Sequence, residues 1–143
     1  MAVELSGIVA IPFELDKDAA ALGTSDEALQ PCQGAGSVAE VHAVQDGAIR
    51  GLDCEIETAQ SDGDDVIFSV YVGGTRDDDS ALTLAGAGSS AGAKYGTSRF
   101  DKGKVPVTAG QSIVVKAKST DAVNTTPAGM LAVVYLQLGR SEI

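Results

Sequence analysis

Few residues in this 143-residue chain are of types that do chemistry, and their spacing decides which chemistry is open. There is one histidine, His42, and there are two cysteines, Cys32 and Cys54. An imidazole base needs a nucleophile within hydrogen-bond reach, and no G-x-S-x-G or comparable element accompanies His42. In the run SVAEVHAV, Ala39, Val41 and Ala43 share one strand face, which turns Glu40 and His42 to the solvated side. Zinc requires clustered Cys and His ligands, and these three separated residues do not supply them. Two loops, Ser61-Asp62-Gly63-Asp64-Asp65 and Arg76-Asp77-Asp78-Asp79-Ser80, gather the hard oxygen donors that calcium favours. Neither loop has EF-hand spacing, and Asp also stabilises turns without any metal. Sugar sites use exposed aromatics, of which Tyr95 and Phe100 in KYGTSRF are available, although the same pair can equally pack a loop. The chain is therefore read as no enzyme, with no catalytic residue, metal or cofactor.

Charge narrows the partners. Twenty acidic against ten basic residues give a formal net charge of −10, which repels a phosphate backbone and argues against nucleic acid. No apolar stretch approaches the length of a membrane span. The opening MAVELSGIVAIPFELDKD has no basic leader region, and Glu4 interrupts its apolar run, so no secretory segment is expected. Cys32 and Cys54 then read as free thiols, and the sequon Asn124-Thr125-Thr126 as loop chemistry.

The elements that must carry these residues have period two almost throughout. In GLDCEIETA, Leu52, Cys54 and Ile56 fall on one face, with Asp53, Glu55 and Glu57 on the other. Such runs predict about eight strands, near 3–14, 37–44, 48–58, 65–73, 81–85, 103–108, 111–119 and 129–138. Pro106 suits a strand start or edge, and Gly110 suits the turn into the next strand. Residues 16–36 form a surface excursion, with part-helical character expected over 16–30, and Ala85 to Thr97 reads as a Gly/Ser-rich loop. The expectation is one all-β domain over 1–143, an antiparallel two-sheet jelly-roll sandwich with an arm or first strand at 1–15 and its body at 37–139.

Two strands are apolar on both faces. In DVIFSVYVGG, Ile67 and Tyr71 lie opposite Val66, Phe68, Val70 and Val72; in GMLAVVYLQLG, Leu131, Val133 and Tyr135 lie opposite Ala132, Val134, Leu136 and Leu138. A sandwich buries only one face of each sheet, so the second must be covered. Either the 16–30 excursion shields it, or Ile67, Tyr71, Leu131, Val133 and Tyr135 line a subunit interface. The arm carries Val3, Leu5, Ile8, Val9 and Ile11, which read as a partner-contacting edge, as the first strand of the sandwich, or as both.

The order DGAIRGLDCEIE, DDVIFSVYVGG, SALTLAG, KVPVTAGQSIVVKA and GMLAVVYLQLG is similar to the tumour necrosis factor-like jelly rolls. It resembles especially the phage and bacterial members related to complement-type globular heads. Gly47 to Leu52 match a "G-x-I-x-x-L" strand opening, Val66 to Gly74 a "V-x-F-x-V-x-V-N-G" strand, and Val105 to Val115 a "V-x-V-x-A-G-D-x-I-x-V" hairpin, with Gln111 in place of the frequent aspartate. The resemblance implies a homotrimer. Neither a collagen-like stalk nor heptads precede the domain, which favours a capsid decoration (cement) protein over a fibre tip. The expectation is a trimer made in the host cytoplasm that binds the major capsid protein on the outside of a phage head. A receptor- or glycan-binding head is the alternative.

Overall fold

The computed structural model describes residues 7–14, 27–31, 41–58, 65–84, 94–120 and 128–139. Their strands are β1 (Gly7–Glu14), β2 (Glu27–Ala28), β3 (Gln30–Pro31), β4 (Val41–His42), β5 (Gly47–Thr58), β6 (Val66–Val72), β7 (Thr75–Arg76), β8 (Leu82–Leu84), β9 (Lys94–Arg99), β10 (Pro106–Val107), β11 (Ser112–Ser119) and β12 (Ala128–Leu138). Among the described residues the only helical piece is a 3-10 turn at Asp78–Ser80. All pairings are antiparallel, and they build two sheets. The first runs β10-β5-β12-β1-β3, with β9 beside β5; the second runs β2-β11-β6-β7, with β4 beside β11 and β8 beside β6. The chain is an all-β antiparallel sandwich, as its alternation predicts.

Alternation explains the core directly. Met130, Ala132, Val134, Leu136 and Leu138 of β12 are buried, as are Ile113, Val115 and Ala117 of β11 and Phe68 and Val70 of β6. These residues form one cluster between the sheets with Phe13, Leu52 and Ile56. In β5 the period breaks once. Ile49 and Leu52 are both fully buried although three positions apart, and the register with β12 steps from Tyr135↔Gly51 to Leu136↔Ile49. Arg50 is the extra residue of this bulge, and the bulge returns both flanking apolar side chains to the core. Its Nε donates to the Phe100 carbonyl at 2.9 Å, which ties the bulge to the start of the 101–104 turn.

Pro106 stands where a strand can spare its N–H. It opens the two-residue β10, exposed, between the buried Val105 and Val107. Gly110, at φ +88°, then turns the chain, and its N–H donates to the Ala43 carbonyl at 2.7 Å. His42 has its Nδ1 3.2 Å from the Gly110 carbonyl, so it belongs to the same turn contact.

Two expectations are corrected, and a third reading is narrowed. Residues 27–31, placed at the edge of a part-helical excursion, are extended. Their two ends pair with different sheets, β2 with β11 and β3 with β1, and Leu29 between them is fully buried. Tertiary pairing overrides the helical preference of the local composition. The 85–97 loop is a strand from Lys94 onward, paired with β5 from Ile56 to Gly51. Its Gly and Ser residues carry little strand propensity, and a neighbouring strand supplies what they lack. Phe100, open in sequence either to a sugar or to packing, is only 8% exposed and joins the core, the packing alternative. The remainder of the 16–36 excursion, the 61–64 loop and Cys32 lie outside the described residues.

Leu29 gives the fold a direct test. Leu29→Ala is expected to cost about 2–5 kcal/mol through lost burial and a residual cavity. Urea denaturation would report this as a lower midpoint at unchanged slope. An unchanged midpoint would return residues 27–31 to the surface.

Candidate functional site

On the outer face of the first sheet, cross-strand partners set outward side chains in rows. Tyr95 of β9, Glu55 of β5, Leu131 of β12 and Glu14 of β1 form the first row. Thr97, Asp53, Val133 and Pro12 form the second, and Arg99, Gly51, Tyr135 and Ala10 the third. Gln137 and Ile8 follow beyond the bulge. The β1–β12 side of this surface is apolar, and the β5–β9 side is polar.

Asp53 organises the polar side. Its carboxylate accepts from Arg99 Nη1 at 2.6 Å, Thr97 Oγ1 at 2.5 Å and the Tyr135 hydroxyl at 2.9 Å. Arg99 also stacks over the Tyr135 ring, 5.1 Å from its centroid. Gly51 makes this possible, because a Cβ there would sit 3.0–3.2 Å from the Arg99 and Tyr135 side chains that lean across the strand. The hydrogen bond from Arg99 holds the Asp53 carboxyl down at about 2, outweighing partial burial, with Thr97 and Tyr135 adding to the lowering. The same network raises Arg99 and Tyr135 above their ordinary values. Beneath it, burial pushes the Cys54 thiol far up, and the nearby Asp53 charge adds to this. Cys54 is thus an inert core thiol and no nucleophile.

Beside this network lies a shallow depression of about 180 Å³, lined by Asp53, Cys54, Glu55, Tyr95, Leu131, Val133 and Tyr135. Tyr95 is 67% exposed and Leu131 37%. The central strand presents Asp53 and Glu55 here, while Tyr95 of β9 and Leu131, Val133 and Tyr135 of β12 stand on either side.

The five residues expected to share an interface are divided. Leu131, Val133 and Tyr135 stand together on the outer face of the first sheet. Ile67 and Tyr71 lie on the outer face of the second, where Lys116 Nζ sits 4.2 Å from the centroid of the Tyr71 ring. The expected arm is divided as well. Ile8 is 64% and Val9 42% exposed, but Ile11 is buried in the core, because β1 is a full partner of β12. Val3 and Leu5 lie outside the described residues. Beyond Phe13 and Glu14, which pair with β3, the far edge of β1 has no strand partner among the described residues.

The remaining chemistry-bearing residues are structural. Asp77 caps the 3-10 turn by accepting from the Asp79 N–H at 2.9 Å, and burial with neighbouring charge raises its carboxyl. Ser80, fully buried, accepts from the Val70 N–H at 2.9 Å and donates to the Asp77 carbonyl at 2.6 Å. No group of three His, Cys, Asp or Glu suited to a metal occurs among the described residues. Sequence reading missed the Arg99–Asp53–Tyr135 network because it placed most of β9 in a loop; the signal was the alternation of Tyr95, Thr97 and Arg99 opposite Gly96 and Ser98.

The fold and this surface define an antiparallel β-sandwich with a two-character outer face. No protein-family model matches the chain, and none of the curated proteins matches it either.

The Asp53 network carries a pH signature. Because the folded carboxyl is held near 2, below its ordinary 3.8, the unfolded chain binds more protons between those values. Its stabilising contribution is complete above the ordinary carboxylate range and is lost as pH falls toward 2. Thermal melts from pH 5 down to about 2 should show a steeper loss in the wild type than in Asp53→Asn. Parallel curves would remove Asp53 from the stability balance.

Proposed function

We propose that this chain is a structural binding module of the capsid-decoration type: a homotrimer that attaches to the outside of an icosahedral phage head and reinforces it by bridging shell subunits. The observation that carries the reading is the apolar surface left open on the outer face of the first sheet, formed by Ile8, Ala10 and Pro12 of β1 beside Leu131 and Val133 of β12. Supporting it are the sandwich architecture, the strand motifs similar to tumour necrosis factor-like jelly rolls, and an acidic net charge of the kind that favours solubility.

Geometry restricts how three copies would close. The two outer faces of a sandwich look in opposite directions, so only one can turn toward a three-fold axis. The first sheet is the better choice, with Val133, Tyr135 and the β1 column as the self-contact and Leu131 at its margin. Ile67 and Tyr71 then face away from the axis. The open edge of β1, with Ile8 and Val9, is the segment suited to adding to a shell strand by backbone pairing. Bridging reinforces because parting two shell subunits then requires several contacts to break together.

A glycan-binding head is the second reading, favoured by one observation, the exposed Tyr95 beside the depression. Native mass by light scattering across a dilution series tests the first. A mass of three chains is expected, falling to one chain in Val133→Asp, a half-buried outward position whose replacement leaves the core intact. Cosedimentation with empty phage heads should fall with it. A single-chain mass for the wild type at every concentration would sink the trimer.

A further inference from the structure

We infer that the depression between Tyr95, Glu55 and Leu131 seats a lysine or arginine side chain of a partner protein. This rests on the docking reading above for the source of the partner, the shell protein. It adds the chemistry by which that partner is recognised.

The charge on this face is unevenly balanced. Asp53 is neutralised by Arg99, so the middle of the face carries no net charge. Glu55 and Glu14, on either side of Leu131 in the first row, are exposed, and neither has an ion-pair partner among the described residues. The uncompensated charge is therefore concentrated beside the depression. Of its walls, Leu131 and Val133 are aliphatic, while Tyr95 offers an open ring, 67% exposed. A side chain with an apolar stem and a cationic head matches this order: the stem lies along Leu131, at the margin of the proposed self-contact, and the head reaches Glu55 and the Tyr95 ring. The ring of Tyr135, by contrast, already carries Arg99.

Two other occupants fit less well. A further copy of the chain, whose proposed self-contact lies on the β1–β12 side, would have to bring its net charge of −10 up to Glu55 to fill the depression, a repulsion that a basic partner surface reverses. A sugar is held by several converging polar groups, and with the Asp53 carboxylate already bonded to Thr97, Arg99 and Tyr135 the depression offers it chiefly Glu55 and the Tyr95 hydroxyl.

The test is an amide-shift titration of the 15N-labelled full chain with the peptide acetyl-Leu-Lys-Leu-Lys-amide at low ionic strength. The same peptide with Glu in place of Lys, and methyl glucoside, serve as the other arms. Shifts confined to residues 53–56, 95–97 and 131–133, seen only with the lysine peptide and weakened by salt, are expected. Tyr95→Leu keeps an apolar wall and should weaken binding about two- to five-fold, the worth of one exposed cation–π contact. Glu55→Gln should weaken it too, with melting midpoints unchanged in both variants. Equal binding of the glutamate peptide, a response to the glucoside alone, shifts elsewhere, or full affinity in Tyr95→Leu would each overturn the inference. Native mass and head cosedimentation of the same proteins separate the two failures. Docking that survives without lysine-peptide binding overturns this inference alone; lysine-peptide binding without docking overturns the docking reading alone.

Discussion

The hydrogen bonding of β5 along both edges is the constraint on which the rest of this molecule depends. One edge pairs with β12 almost end to end, and the other with β9 and then β10. A strand held on both sides cannot slip by one residue without moving every buried side chain to the opposite face. Leu52, Cys54 and Ile56 therefore stay inside, and Gly51, Asp53 and Glu55 stay outside. The outer face inherits its rows from this register, and the depression lies where Asp53 and Glu55 of the central strand meet Tyr95 of β9 and Leu131, Val133 and Tyr135 of β12.

The bulge at Arg50 shows how the fold reconciles two requirements. The core needs Ile49 and Leu52 both inward, which a period of two forbids at that separation. One extra residue resolves the conflict and leaves Arg50 beside the chain reversal at Phe100. The turn around Gly110 is similar: the His42 ring, the Ala43 backbone and the Asp46 side chain all meet it. His42 and Asp46 thus hold a turn, and the polar network on the outer face orients the Arg99, Thr97 and Tyr135 side chains around Asp53. A fixed arrangement of apolar and charged groups of this kind lowers the entropy that a contact would cost.

Much of the fold was legible before any coordinates. The alternation in 48–58, 65–73, 111–119 and 129–138 located the four longest central strands, because a half-buried strand must write its burial into every second residue. The outward apolar residues of β6 and β12 were legible for the same reason. What alternation does not contain is which sheet each strand joins. Ile67 with Tyr71, and Leu131 with Val133 and Tyr135, look alike in sequence, yet they lie on surfaces facing away from each other. The short strands β2, β3 and β9 were hidden by their composition, since residues of low strand propensity such as Glu, Ala, Gln, Pro, Gly and Ser become strand only when a neighbour supplies the hydrogen bonds.

The sequence by itself determined the class of the fold and the inner and outer faces of its long strands. Those properties are local, being carried by residues two apart in one strand. The tertiary structure alone decided that Arg99, Thr97, Asp53 and Tyr135 form one network, that Ile11 and Phe100 belong to the core, and that Tyr95, Glu55 and Leu131 border one depression. Each depends on residues from separate strands meeting at a fixed register, and backbone pairing sets that register over distances the sequence does not encode locally.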